Sequence, residues 1–157
     1  MYPQPFENPD PNLPPKGFSS RIYAYRSLAN QVIPSGVFTR SQMNIVLFDS
    51  LGEYDTALWQ WTATKAGYYY MCASCRFMAA AAAGNIQMDI IRDLDSQNIA
   101  RDFTTLVLGD AKAMFVACVF YALAGAAYYV RIRQTTGFNL TFNNGIGNHY
   151  FCVHKLS

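Results

Sequence analysis

From Ala113 to Val130 the chain carries no charged residue, and the segment Met114 to Leu123 is apolar on both of its alternations. One alternation holds Met114, Val116, Cys118 and Phe120, the other Phe115, Val119, Tyr121 and Leu123. A run this long lies near the lower limit for a membrane-spanning helix, so it is either a span or a pair of buried strands. Gly125, the β-branched and aromatic content, and the alternating exit Tyr128, Tyr129, Val130, Arg131, Ile132, Arg133 favour strands. No membrane insertion is expected. In a two-layer sandwich only one face of a strand meets the core, so a second apolar face needs its own cover. A symmetric subunit contact supplies one, and an arm or loop of the same chain is the alternative.

The rest of the chain reads the same way. With 157 residues, 52% hydrophobic and 15% aromatic, one compact domain with a substantial core is expected. After Gly17 come short segments rich in Val, Ile, Thr, Tyr and Phe, punctuated by turn signals such as Pro34-Ser35-Gly36 and Asn143-Asn144-Gly145. Strands are expected near Ile22 to Arg26, Gln31 to Ile33, Met43 to Phe48, Trp59 to Thr62, Gly67 to Phe77 and Asn85 to Arg92. Others are expected near Gln97 to Thr105, Lys112 to Leu123, Tyr128 to Gln134, Asn139 to Phe142 and His149 to Lys155. The class is all-β, a sandwich or jelly roll. The alanine run Met78 to Ala83 stays open between a helical turn and a loop.

Six of the seven prolines fall within the first fifteen residues, which excludes helix and central strand there. Residues 1–17 therefore read as an extended Pro-rich arm with apolar knobs at Tyr2, Phe6 and Leu13, and residues 18–157 as the head domain. Met1 runs directly into Tyr2-Pro3-Gln4 without a secretory pattern, so the mature chain is expected to start there. On that basis Cys72, Cys75, Cys118 and Cys152 are expected to be reduced, and the sequon Asn139-Leu140-Thr141 unused.

Candidate chemistry is sparse. The 12 Lys and Arg are scattered against 10 acids, which lacks the footprint of a nucleic-acid binder. His149 and His154 stand an odd number of positions apart, on opposite faces of a strand, and the Cys72-x-x-Cys75 spacing also divides its thiols between faces. Asp89, Asp93, Asp95 and Asp102 invite a calcium reading, but the sixth and twelfth positions from Asp93 are Asn98 and Thr104, so solvated loop acids are expected. No catalytic residues, metal ligands or cofactor are expected, and the chain reads as a non-enzyme. Among Trp59, Trp61, Tyr68 and Tyr70, most are expected in core or interface; Trp59 and Tyr70 are the candidates for a sugar-stacking ligand surface.

Met43, Asp49, Tyr54, Trp61, Gly67, Tyr69 and Met71 stand at the intervals of aromatic, Asn or Asp, aromatic, Gly, Tyr and Phe positions that mark the globular heads of the C-one-q family. Phe48-Asp49 through Glu53-Tyr54-Asp55 resembles the family's turn before its third strand, and Lys65-Ala66-Gly67-Tyr68-Tyr69 its Gly-x-Tyr strand opening. Leu123-Ala124-Gly125 with Tyr129-Val130 resembles the late hairpin, and Phe151 to Leu156 the closing strand. The similarity runs from Phe18 to Ser157. Met43 and Met71 replace family Phe, and Ala126 and Ala127 stand where an acid is common.

The resemblance implies a ten-stranded jelly roll of the tumour-necrosis-factor-like class, assembled as a homotrimer about a threefold axis. Tyr69, Phe115, Val119, Tyr121 and Phe151 are the expected trimer interface. Lacking a collagen repeat, the chain is more similar to phage and virus virion-associated members, set as decorations, head fibres, spikes or knobs. The arm would then dock on a capsid or other virion protein through Tyr2, Phe6 and Leu13, and the head would meet a host glycan or receptor. The expected location is the virion surface, after assembly in the host cytoplasm. The alternative is a bacterial carbohydrate- or receptor-binding module of the same fold.

Overall fold

A computed structural model describes residues 20–27, 30–143 and 147–156 of the chain. Among these are thirteen strands and no helix. They are β1 (Arg21–Tyr25), β2 (Val32–Ile33), β3 (Thr39–Arg40), β4 (Ile45–Asp49), β5 (Tyr54–Asp55), β6 (Gln60–Thr62) and β7 (Gly67–Arg76). There follow β8 (Gly84–Arg92), β9 (Gln97–Leu106), β10 (Ala113–Ala122), β11 (Ala127–Gln134), β12 (Leu140–Thr141) and β13 (His149–Lys155). Every strand expected from the pattern is present; β3 and β5, two residues each, are additional. The uncharged stretch Ala113 to Val130 is β10, a turn and the first half of β11, and no described helix is long and apolar enough to cross a membrane. Gly125 makes that turn with φ of +79°, a conformation that side chains disfavour. Met78 to Ala83 is a loop rather than a helical turn, tied down by Ala80, which bonds both Asp110 and Gly109 through its backbone.

Ten of the strands form two antiparallel five-strand rows, β10-β7-β13-β1-β4 and β5-β6-β11-β8-β9. β3 pairs with β11 beside the second row, and β12 pairs with β2. This is the jelly-roll sandwich. The sheet edges meet where β9 lies along β10, with the Phe115 amide donating to Asp102 Oδ2 at 3.3 Å.

The period of two decides what fills the space between the sheets. From β7 come Tyr69, Met71, Ala73 and Cys75, from β8 Ile86, Met88 and Ile90, from β11 Tyr128, Val130 and Ile132, all buried. Trp61 is fully buried, its ring 4.8 Å from that of Tyr69 and 5.3 Å from that of Tyr128. Each of the larger aliphatic side chains among them adds about 1.5–3 kcal/mol by leaving water. Met43 and Met71 are buried in the same core, where their unbranched, adaptable chains fill the space between the sheets. At Gly84 a Cβ would lie 2.8 Å from the Thr136 backbone, so only glycine lets β8 start against that turn.

Two expectations are corrected by this packing. Tyr69 and Phe151 lie on the inward alternation of β7 and β13, with 0% and 2% exposure, and so belong to the core rather than to a subunit interface. Cys72 and Cys152 are not reduced: they form a disulfide. The β7–β13 register sets the two residues directly opposite with Cα atoms 5.2 Å apart, within bridging distance, although 80 residues separate them in sequence. Cys75, on the other face of β7, is a free buried thiol, and Cys118 is free on β10.

Candidate functional site

With the core assigned, the outward residues of each sheet define two surfaces. On the first sheet, register aligns Phe48, Tyr23, Cys152, Cys72 and Ala117 across β4, β1, β13, β7 and β10. The neighbouring row is Tyr25, Tyr150, Ser74 and Phe115. Tyr23 stacks on Tyr150 at 5.3 Å, and Tyr68 meets Tyr121 edge-on at 5.3 Å. The disulfide therefore sits in the middle of an aromatic face. Phe115, Val119 and Tyr121 of β10 are each half exposed or more on it, joined by Tyr68 and Phe48. Of the five residues expected at the interface, these three of β10 share one surface.

On the second sheet, Arg40, Arg131, Asp89 and Arg101 align across β3, β11, β8 and β9. Asp89 is fully buried, receiving Arg101 Nε at 2.8 Å, Arg131 Nε at 3.1 Å and the Gln87 amide at 2.9 and 3.0 Å. Desolvation pushes its pKa up, but the bonds from Arg101, Gln87 and Arg131 outweigh that and hold it below the usual carboxylate value. Arg40 lies 3.7 Å over the Tyr129 ring and pairs with Asp93 at 2.9 Å; Arg131 lies 4.0 Å over Phe38. The expectation of solvated loop acids is thereby corrected, since Asp89 is buried on β8 and Asp102 lies on β9, and only Asp93 and Asp95 stand in the turn between them. Asp95 pairs with Arg92, which lowers its pKa to about 2, and Asp102 accepts from the Phe103 and Phe115 amides.

Two further buried polar clusters lie among the described residues. Glu53 accepts from Ser20 Oγ, Trp61 Nε1 (3.1 Å), the Thr64 amide (2.9 Å) and Thr64 Oγ1. Burial raises its pKa, yet the Ser20, Thr64 and Trp61 bonds more than compensate and keep it low, so it is an ionised clasp between the start of β1 and the β6–β7 turn. Ser41 Oγ and His149 Nε2 are hydrogen-bonded with both residues buried. Desolvation, then the nearby Arg26 charge, depress the His149 pKa to about 3, so the ring is neutral. A serine and a histidine in contact resemble a nucleophile and its base, but sealed in the core they have no route to a substrate and act as a packing bond.

Trp59, with a φ of +51°, sits in the β5–β6 turn beside Tyr54 and Tyr129 of the second sheet, whereas Tyr70 is on the outer face of the first. The two do not form one surface. Tyr2, Phe6 and Leu13 lie outside the described residues. The arginine face was not singled out from sequence, although the alternation Tyr129, Arg131, Arg133 against Val130 and Ile132 was its signal.

The strand order of these two rows can be set beside known structures. Murine APRIL at pH 5.0 matches with a TM-score of 0.68 at 11% identity, over 88% of this chain and 100% of that one. Eiger TNF from S. frugiperda matches at 0.59 and 8% identity, over 88% and 93%. The globular domain of zebrafish complement 1qA matches at 0.57 and 11%, over 88% and 98%. The fold is the C-one-q and tumour-necrosis-factor-like jelly roll. No family model and no curated protein sequence matches the chain. At these identities the jelly-roll likeness speaks for the path of the chain alone.

Proposed function

We propose that the protein is a non-enzymatic structural protein, a homotrimeric jelly-roll head that decorates a virion as a capsid decoration, head fibre, spike or knob. The observation that carries the reading is the aromatic outer face of the first sheet. Phe115, Val119 and Tyr121 with Tyr68 at one edge of the sheet, and Phe48 at the other, leave large apolar side chains in water on one chain. Covering them in a symmetric contact gains about 25 cal/mol for each Å² of apolar area removed from water. The jelly-roll fold and its resemblance to trimeric heads favour three copies. The Pro-rich segment ahead of β1 supports docking on a capsid or other virion protein through Tyr2, Phe6 and Leu13, with the head turned toward a host glycan or receptor.

Light scattering on the purified full chain tests the assembly, with an expected mass three times the 17.6 kDa of one chain. Deleting residues 1–17 should leave that trimer intact and abolish co-sedimentation with virions. A persistent monomer, or undiminished sedimentation of the truncated chain, overturns the corresponding half of the reading. The arginine-rich second face favours the alternative, a carbohydrate-binding module with no capsid partner, and soluble glycan binding without virion association would select it.

A further inference from the structure

Beneath the outer face of the second sheet, Asp89 is fully buried and holds Arg101 and Arg131 through their Nε atoms. One row away stand Arg133, Gln87 and Phe103, and Arg133 is likewise held through Nε, by the Gly36 carbonyl at 3.1 Å. Three guanidinium groups are thus fixed by their inner nitrogen, which leaves the terminal nitrogen pairs, the fork that matches a planar or tetrahedral oxyanion, outside those bonds. Phe38 lies between two of them, 4.0 Å from the Arg131 and 5.5 Å from the Arg133 guanidinium carbon. Phe38 and Phe103 are 41% and 57% exposed, so rings and forks share one surface. The core does not need this arrangement, because the inward rows of β8 and β11 are already filled by apolar side chains.

We propose that this face binds an acidic polysaccharide. Sulfate or carboxylate groups are taken by the terminal nitrogens of Arg101, Arg131 and Arg133, and the apolar faces of the sugar rings stack on Phe38 and Phe103. Four arginines, counting Arg40, face two carboxylates, Asp89 and Asp93, so the surface keeps a positive excess. Its flat, strand-built form suits an extended chain with repeated charges rather than a small ligand in a cavity. Because the forks are held in place before binding, little side-chain freedom is lost on contact. Exposed rings interleaved with the arginines favour a sugar polymer over an acidic peptide. This deepens the host-glycan part of the reading above, to which it is tied, but it does not require three copies.

The test titrates the full chain with heparin, polygalacturonate, neutral dextran and polyglutamate, while the native mass and melting temperature of each sample are recorded. Saturable, salt-sensitive binding to heparin or to polygalacturonate is expected, and which one binds tells sulfate from carboxylate. Dextran should not bind. Arg133→Gln, which lies outside the Asp89 ion pair, should weaken binding at least fivefold with an unchanged melting temperature, and Phe38→Leu should weaken it further. Lys65→Gln, the same charge change elsewhere, should leave it unaltered. The proposal is overturned by no binding to either acidic polysaccharide, by an equal loss from Lys65→Gln, or by polyglutamate binding as tightly. A trimer that fails to bind overturns this inference alone, and a monomer that binds overturns only the assembly.

Discussion

The outward residues of β10 read Phe115, Ala117, Val119 and Tyr121, while those of β11 read Tyr129, Arg131 and Arg133. Both strands turn an apolar row inward, Met114, Val116 and Ala122 in one and Tyr128, Val130 and Ile132 in the other. The inner rows are interchangeable in kind because both serve the same core. The outer rows differ because they face different surroundings. On the first sheet the aromatic face gathers Tyr23, Phe48, Tyr68 and Tyr150 around a disulfide. On the second, charge is brought onto the sheet and only partly neutralised around Asp89, which faces two guanidinium groups, with aromatic rings stacked under Arg40 and Arg131. An apolar outer face asks for another protein surface, whereas a charged face is stable in water.

The comparison breaks most decisively at the first face. Replacing Val119 and Tyr121 together by Glu should convert the proposed trimer to monomer while the far-ultraviolet circular dichroism stays unchanged, since both side chains point away from the core. A double variant that stays trimeric would remove that face from the assembly. Next in size is the disulfide at its centre. Closing a loop of 80 residues constrains the unfolded chain. On the chain-entropy model this contributes about 4 kcal/mol, so Cys72→Ala with Cys152→Ala should lower the melting temperature by roughly 10 °C. Calorimetry that finds the pair of variants as stable as the parent would dismiss the bridge as a stabilising element.

On the second face, Asp89→Ala strips Arg131 of its buried partner and should cost about 3 kcal/mol in urea unfolding, moderated because Arg101 is half exposed. The native mass should not change. The same substitution altering the oligomer would merge the two surfaces into one.

The smallest effect belongs to neither face and serves as their common reference. The folded-state pKa of His149, about 3, lies below its unfolded value of about 6.5, so the stability it contributes is present above about pH 6.5 and is lost as pH falls through that value. Between pH 7 and 5 the loss should reach about 2 kcal/mol, and a Gln at 149 should flatten it. Glu53 and Asp89, both held low, contribute stability that is present above the unfolded carboxylate range and fades only below about pH 4. The window from 7 to 5 therefore isolates the histidine.

Much of the sandwich was legible because its strands are long enough to show their period. β7, β9 and β10, ten residues each, announce themselves by alternation and by turn residues at their ends. β3 and β5 were not legible, because Thr39-Arg40 and Tyr54-Asp55 carry no apolar β-forming pair of the kind that marks β2 (Val32–Ile33), and they exist through two register pairs each to β11 and β6. Of the interface residues read from sequence, Phe115, Val119 and Tyr121 lie outward, while Tyr69 and Phe151 turned inward. Composition cannot tell the two faces of an all-apolar strand apart. The pairing of Cys72 with Cys152 was hidden for a related reason: it depends on the β7–β13 register, which no local signal near either cysteine encodes.

The sequence by itself determined an all-β head, the signature aromatics and methionines of its core, and the presence of a strand with too much apolar surface for one layer. Those follow from local propensity and period, which act within a few residues. Only the tertiary structure decided which alternation of each strand meets the core, that Arg40, Arg131, Asp89 and Arg101 fall in one row, and that two cysteines 80 residues apart face each other. These are consequences of register, and a shift of one residue would turn every side chain of a strand to its opposite face.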